Sequence, residues 1–204
     1  GGAIVLTETT NSIGTVGDLS AAGDLSLTVA GTLTLAGLLT APGQTVALTG
    51  PLGIVETGAG RIVSGTLTAQ SSGGDITLGG ANQLGNLGGS AASGNFTLND
   101  GVALAIATGV TVSAGSALSL TTSDSLTMDG YLAGASVALG AGTGINVSGF
   151  GGITTPLLAA QTTAGDIIIG GSNLVDALGN VSTPGRFVME DSASLLTIGT
   201  GVVV

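Results

Sequence analysis

The chain repeats itself without a gap, and this constrains its fold more than any other feature. Gln70 to Phe96 reads QSSGGDITLGGANQLGNLGGSAASGNF, and 91 positions later Gln161 to Phe187 reads QTTAGDIIIGGSNLVDALGNVSTPGRF. The copies share Gln70 and Gln161, Gly74-Asp75 and Gly165-Asp166, the glycine pairs beginning at 79 and 170, Asn82 and Asn173, Leu87-Gly88 and Leu178-Gly179, and Phe96 and Phe187. A third edition, NSIGTVGDLSAAGDLSL from Asn11, aligns with NQLGNLGGSAASGNFTL from Asn82 at an offset of 71. Repeats whose offsets differ by 20 residues have gained or lost a unit of that size. Apolar pairs agree with this unit: Ile76/Leu78 recurs as Phe96/Leu98, Leu118/Leu120 as Val137/Leu139, and Ile167/Ile169 as Phe187/Met189. A short period with strand-forming content is the signature of a solenoid, whose units bury their apolar faces only by stacking.

Within that unit the alternation has period two. Leu25, Leu27 and Val29 take one face while Ser26 and Thr28 take the other, Gly31 turns the chain, and Leu33 and Leu35 resume the pattern. Farther along, Phe96/Leu98, Val102/Leu104/Ile106, Val110/Val112 and Leu118/Leu120 read as short strands separated by Asn99 to Gly101, Thr108-Gly109 and Ala114-Gly115. Alternation with β-branched residues marks strands, and no segment carries a helical period with caps. Glycine and asparagine are expected at the corners because sharp corners favour positive φ. Residues 1–10 read as the tail of a preceding coil, with Ile4 to Leu6 paralleling Ile76 to Leu78. The expected fold is a right-handed parallel β-helix, handed by the general rule for parallel crossovers. It has about 18–20 residues per coil and roughly ten coils, which at about 4.8 Å per coil make a rod of about 50 Å. All of residues 1–204 form one repeat segment, with editions starting near 11, 82 and 173. An antiparallel sandwich is the competing fold, but it gives no reason for a length change of one fixed unit.

Composition narrows the functions. Charged residues make up 7%, there are 39 glycines, and Cys, His and Trp are absent. With 43% hydrophobic residues the chain has material for a core and lacks the polar, charged character of disorder. No run approaches the roughly 18 apolar residues of a spanning helix. One Tyr and three Phe cannot build the aromatic girdles of an outer-membrane barrel, so no membrane insertion is expected. A net charge of −10 with two arginines and no lysine argues against nucleic acid, whose binding is driven by phosphate neutralisation. The start at Gly1 and the apolar stretch from Gly201 to Val204 read as cuts through a longer chain, since a bare strand edge needs a cap.

The acidic residues are Glu8, Asp18, Asp24, Glu56, Asp75, Asp100, Asp124, Asp129, Asp166, Asp176, Glu190 and Asp191. They are scattered, mostly beside glycine, and read as solvated turn residues; no catalytic, cofactor or metal site is assigned. Glycoside hydrolysis needs two carboxyls converging on one bond, and Glu190 and Asp191 are neighbours that in a strand would point apart. Without His or Cys, most nucleophile-base pairs are also ruled out. AGDIIIGGSNLVD echoes the calcium-roll nonapeptide, but Asp166 and Asp176 stand ten apart and the motif has no tandem copy. Ordered calcium inside the coils is therefore not expected. Thr32/Thr34 and Thr66/Thr68 are too intermittent for an ice-binding ladder. Asn11, Asn82 and Asn173 read as corner residues bonding their own backbone, and Asp75 and Asp166 as turn residues opening a strand.

The stretches GDLSLTVAGTLTLAG (Gly23 to Gly37) and NFTLNDGVALAIATGVTVSAGSALSLTT (Asn95 to Thr122), with the corners at 11, 82 and 173, resemble the repeat region of filamentous-haemagglutinin-like exoproteins. These are adhesins exported by two-partner secretion in Gram-negative bacteria, and autotransporter passengers share the texture. The resemblance covers nearly the whole chain and carries no catalytic signature. It implies an extracellular or cell-surface β-helical shaft, not an enzyme, that serves adhesion, biofilm or fibre formation. The partners it implies are neighbouring segments of the same chain, or copies stacked end to end, with host or bacterial surfaces contacted by regions outside this segment. A carbohydrate-active β-helix enzyme is the alternative, and an outer-membrane barrel a more distant one.

Overall fold

The computed structural model describes residues 2–193 and 195–198. The apolar stretch from Gly201 to Val204 lies outside these. Every strand pairing among the described residues is parallel, and strands pair with the equivalent strand one coil away. That pattern excludes the antiparallel sandwich and the antiparallel barrel as the fold. The chain is an all-β solenoid of about nine turns, with about 21 residues per turn, and the described residues include no helix. Expectation and structure differ by one to three residues per turn because corners such as 107–110 and 148–151 add length between strands.

Register follows the alternation of the sequence. Leu33, Ile54, Ile76, Phe96, Leu118, Val137, Leu158, Leu178 and Ile198 stack in one column, each step spanning 19 to 22 residues. From Leu33 to Leu178 its members are at most 2% exposed. Burying a Leu, Ile or Phe side chain stabilises by about 1.5–3 kcal/mol, so each coil is held mainly by what lies above and below it. Other columns fill the rest of the interior: Leu104, Leu126, Ile145, Ile167 and Phe187, and beside it Ile106, Met128, Val147, Ile169 and Met189. The three apolar pairs that set the period are register partners in the structure.

Two sequence equivalences change. Phe96 stacks in the Leu33 column while its counterpart Phe187 stacks in the Leu104 column, so a shift of 91 residues is not a whole number of turns. The editions are local copies set on different strands of the coil. Likewise Ile4 pairs with Leu25, in the column that continues through Val46, Leu67 and Leu87, and is not the counterpart of Ile76. Asp100 also moves: the strand Phe96–Asp100 runs through it, and the turn begins at Gly101.

Among the described residues positive φ occurs only at glycines, including Gly43, Gly109 and Gly165, and at no asparagine. The asparagine corners therefore have another cause. Several glycines answer to crowding instead. A Cβ at Gly94 would collide with the Asp75 carboxylate and the Gly74 backbone, whereas one at Gly79, inside the strand Ile76–Leu87, meets nothing within 4 Å. Gly79→Ala is expected to stabilise by about 0.4–1 kcal/mol through the unfolded state, and Gly94→Ala to destabilise by more than that. Thermal unfolding followed by circular dichroism checks both.

Candidate functional site: the asparagine corners and their carboxylates

A corner breaks the ladder of backbone hydrogen bonds between coils, and a buried N–H or C=O left there without a partner costs about 1–3 kcal/mol. Asn82 and Asn173, both 0% exposed, close these gaps. Asn82 Oδ1 accepts the Ile62 N–H of the preceding coil at 2.7 Å, and its Nδ2 donates to the Asn99 carbonyl of the following coil at 3.0 Å and to the Gly80 carbonyl at 3.2 Å. Asn173 does the same with Ile153 N–H at 2.9 Å, the Glu190 carbonyl at 2.7 Å and the Gly170 carbonyl at 3.1 Å. Asn11 donates to the Thr28 carbonyl at 3.2 Å, the same 17-residue reach. The expected bond to the local backbone is present, at the Gly80 and Gly170 carbonyls, and each buried asparagine in addition ties three successive coils.

A second set of side chains opens strands. Asp18, Asp24, Asp75 and Asp166 each place Oδ1 on the N–H of the equivalent residue one coil later, at Leu38 (2.8 Å), Thr45 (2.9 Å), Asn95 (2.7 Å) and Arg186 (2.8 Å). Asn95 in turn accepts the Ala117 N–H at 3.2 Å. Asp75 and Asp166 are the strand-opening turn residues expected, with a partner the sequence did not reveal. The residue before the capped N–H is glycine at 37, 94 and 185, where a side chain would strike the carboxylate. The Arg186 N–H, and after it the guanidinium at 3.2 Å, hold the Asp166 carboxyl below the usual carboxylate range.

The remaining acids divide. Glu56 Oε2 accepts from Gly80 N–H at 2.7 Å and from the Asn82 amide at 3.2 Å. Asp100 Oδ1 accepts the Leu84 N–H at 3.1 Å, and Asp191 Oδ1 the Val175 N–H at 3.1 Å. Glu190 Oε2 takes the Gly171 N–H at 3.3 Å, and Asp124 the Thr143 hydroxyl at 2.8 Å. Nine of the twelve acids therefore bond an adjacent coil and are not merely solvated turn residues. Glu190 and Asp191, which follow the strand Phe187–Met189, reach different N–H groups of the preceding coil. Burial pushes the Glu56 carboxyl up, against the Gly80 N–H and the Asn82 amide, and pushes Asp100 up to about 6 against three backbone N–H groups.

Asp100 was legible in one respect: period two from Phe96 and Leu98 puts it on the inner face. The structure has it 3% exposed. Grooves on the outside do not gather carboxylates. One of about 260 Å³ is lined by Ser119, Thr121, Ala138, Gly140, Ala159 and Gln161 among others, and one of about 280 Å³, beside Gly79 and Gly80 of the strand Ile76–Leu87, holds Glu56 as its lone ionisable group. Among the described residues no three metal-ligating side chains converge.

Asn82→Ala leaves the buried Ile62 N–H unpaired and removes the donor to the part-buried Asn99 carbonyl, so it is expected to cost at least the about 1–3 kcal/mol of one orphaned buried group. Asn11→Ala, which breaks one bond at a half-buried site, is expected to cost clearly less; urea unfolding of the two variants measures the difference. Comparison of the chain with family models, with curated proteins and with solved structures gave no match.

Proposed function

We propose that this chain is an extracellular structural segment, a rigid shaft within a large secreted bacterial surface protein that serves adhesion or filament formation. One observation carries the reading: polar side chains that could have lined a site are engaged in bonding coil to coil. Asparagines and aspartates link backbones 16 to 22 residues apart, and the interior is one continuous apolar stack. Such a body resists bending and extends by adding coils. The texture resembling filamentous-haemagglutinin-like repeats supports placing it outside the cell. Its partners in this reading are neighbouring coils of the same long chain, or further copies joined through main-chain pairing at coil ends, with surfaces engaged elsewhere in the protein.

A shaft tolerates loss of a whole coil, whereas an active site assembled from several coils does not. Deleting residues 118–136, one register step from Leu118 to Val137, is expected to give a folded and proportionately shorter rod by electron microscopy, with an axial spacing near 4.8 Å. Deleting only 118–127 is expected to abolish folding. Compact globules without the axial spacing, or release of reducing ends from polysaccharides by the intact protein, would overturn the shaft in favour of the carbohydrate-active alternative.

A further inference from the structure

Glu56, Asn82 and Asp100 come from three successive coils and meet at one corner. Asn82 Nδ2 lies 3.2 Å from Glu56 Oε2, and Asp100 is the register partner of Asn82, whose carbonyl accepts the Gly101 N–H at 2.6 Å. Each carboxyl uses one oxygen. The others, Glu56 Oε1 and Asp100 Oδ2, are buried with no hydrogen-bond partner among the described residues, as is the hydroxyl of Ser64, the register partner of Leu84. An ionised oxygen shut away from water without a donor opposes burial, and a neutral carboxyl does so much less.

The chain supplies its own comparison. The residue 18 places after the corner asparagine is Asp100 after Asn82, Asp191 after Asn173, and Val29 after Asn11. Val29 is 1% exposed, while Asp191 repeats the pattern of Asp100, with Oδ1 on a backbone N–H and Oδ2 buried and unpartnered. The corner can thus be built around a neutral side chain, and the carboxyl is an addition that the fold does not demand.

No compensating cation faces this corner. The strands packed on Asp100, Ile76–Leu87 and Ala117–Thr122, carry no ionisable side chain. On flanking segments, Asp75 is turned to Asn95 and Asp124 to Thr143, Glu56 shares Asn82, and Arg61, which heads the strand Arg61–Ser71, is exposed. The cavity beside Glu56 gives solvent protons a route in.

We propose that the corner of Glu56, Asn82 and Asp100 is an acid-tightened joint, loosened when its carboxyls are ionised and closed when they are protonated. The sign follows from linkage. The folded Asp100 value of about 6 stands above the ordinary carboxylate value near 4, so the folded state binds the proton more tightly. Stability rises as pH falls through about 6, reaches its full gain below the unfolded value, and is lost again as pH rises. Glu56 shifts in the same direction.

The test compares urea midpoints and amide hydrogen exchange, corrected for intrinsic rates, at pH 7.5 and 5.0 for the wild type, Asp100→Asn and Asp100→Val. The wild type is expected to gain stability on acidification, with Leu84 and Gly80 amide protection rising roughly tenfold between pH 7.5 and 5.0, because pH 5.0 lies about one unit below the folded Asp100 value and still above the unfolded one. Asp100→Asn is expected to match or exceed the wild-type midpoint at pH 7.5 and to lose most of the response. General relief of the −10 net charge would survive that substitution. A wild-type midpoint that is flat or falls on acidification, an Asp100→Asn variant with the full response, or an Asp100 carboxyl titrating below about 4.5 by NMR would overturn the proposal. Should Asp100→Asn not fold, Asp100→Val, which copies the Val29 corner, and the wild-type NMR titration decide it.

Discussion

Everything in this molecule depends on satisfying the backbone where the chain turns. Along the straight strands each N–H finds a carbonyl one coil away, but a corner spreads adjacent coils and breaks that correspondence. A corner buried by the next coil has no water to turn to, and unpaired groups there cost more than one or two good contacts recover. Short side chains bearing an amide or carboxylate fill the gap. Asn82, Asn173 and the strand-opening aspartates act as inserted pieces of backbone, and the apolar columns can close only because these side chains hold the corners in register.

This explains a composition that is otherwise odd for an acidic protein. A surface built for solubility would mix both signs, whereas here the acids serve mainly as acceptors for N–H groups, a task that lysine and arginine cannot perform because they only donate. Glycine is abundant for a related reason. Where a carboxylate reaches a neighbouring coil's backbone at Leu38, Asn95 and Arg186, the residue before its target is glycine, and a side chain there would strike the carboxylate, as at Gly94 and Gly185. Amino acids that look like independent turn formers are in fact complementary pairs about 19 residues apart.

The fold was largely legible because register is a property of the period. Alternation at Phe96 and Leu98 or at Ile167 and Ile169 names both the inward face and the partner one unit away, and the structure keeps those partners. What stayed hidden was relational. Nothing adjacent to Asn82 in sequence says that its amide reaches Ile62 and Asn99, and the alternation that turns Asp100 inward does not say that its carboxyl will meet the Leu84 N–H. The editions hid their placement as well, since a sequence offset carries no information about position around the axis until the length of every corner is known. Arg61 and Arg186 illustrate the limit: both are exposed, yet only Arg186 braces a carboxylate, by virtue of the Asp166 that lies one coil before it.

The fractional offset between editions has a consequence for how such a body changes over time. A corner senses only the coils immediately before and after it, so the same local sequence can serve at a different place around the axis wherever the neighbouring coils supply its partners, although the chain as a whole still gains or loses length in whole turns. Each copy then stands at its own azimuth, as Phe96 and Phe187 do in their separate columns. Duplication in this architecture lengthens the axis and at the same moment reshuffles the circumference, so that one ancestral stretch can come to face in several directions.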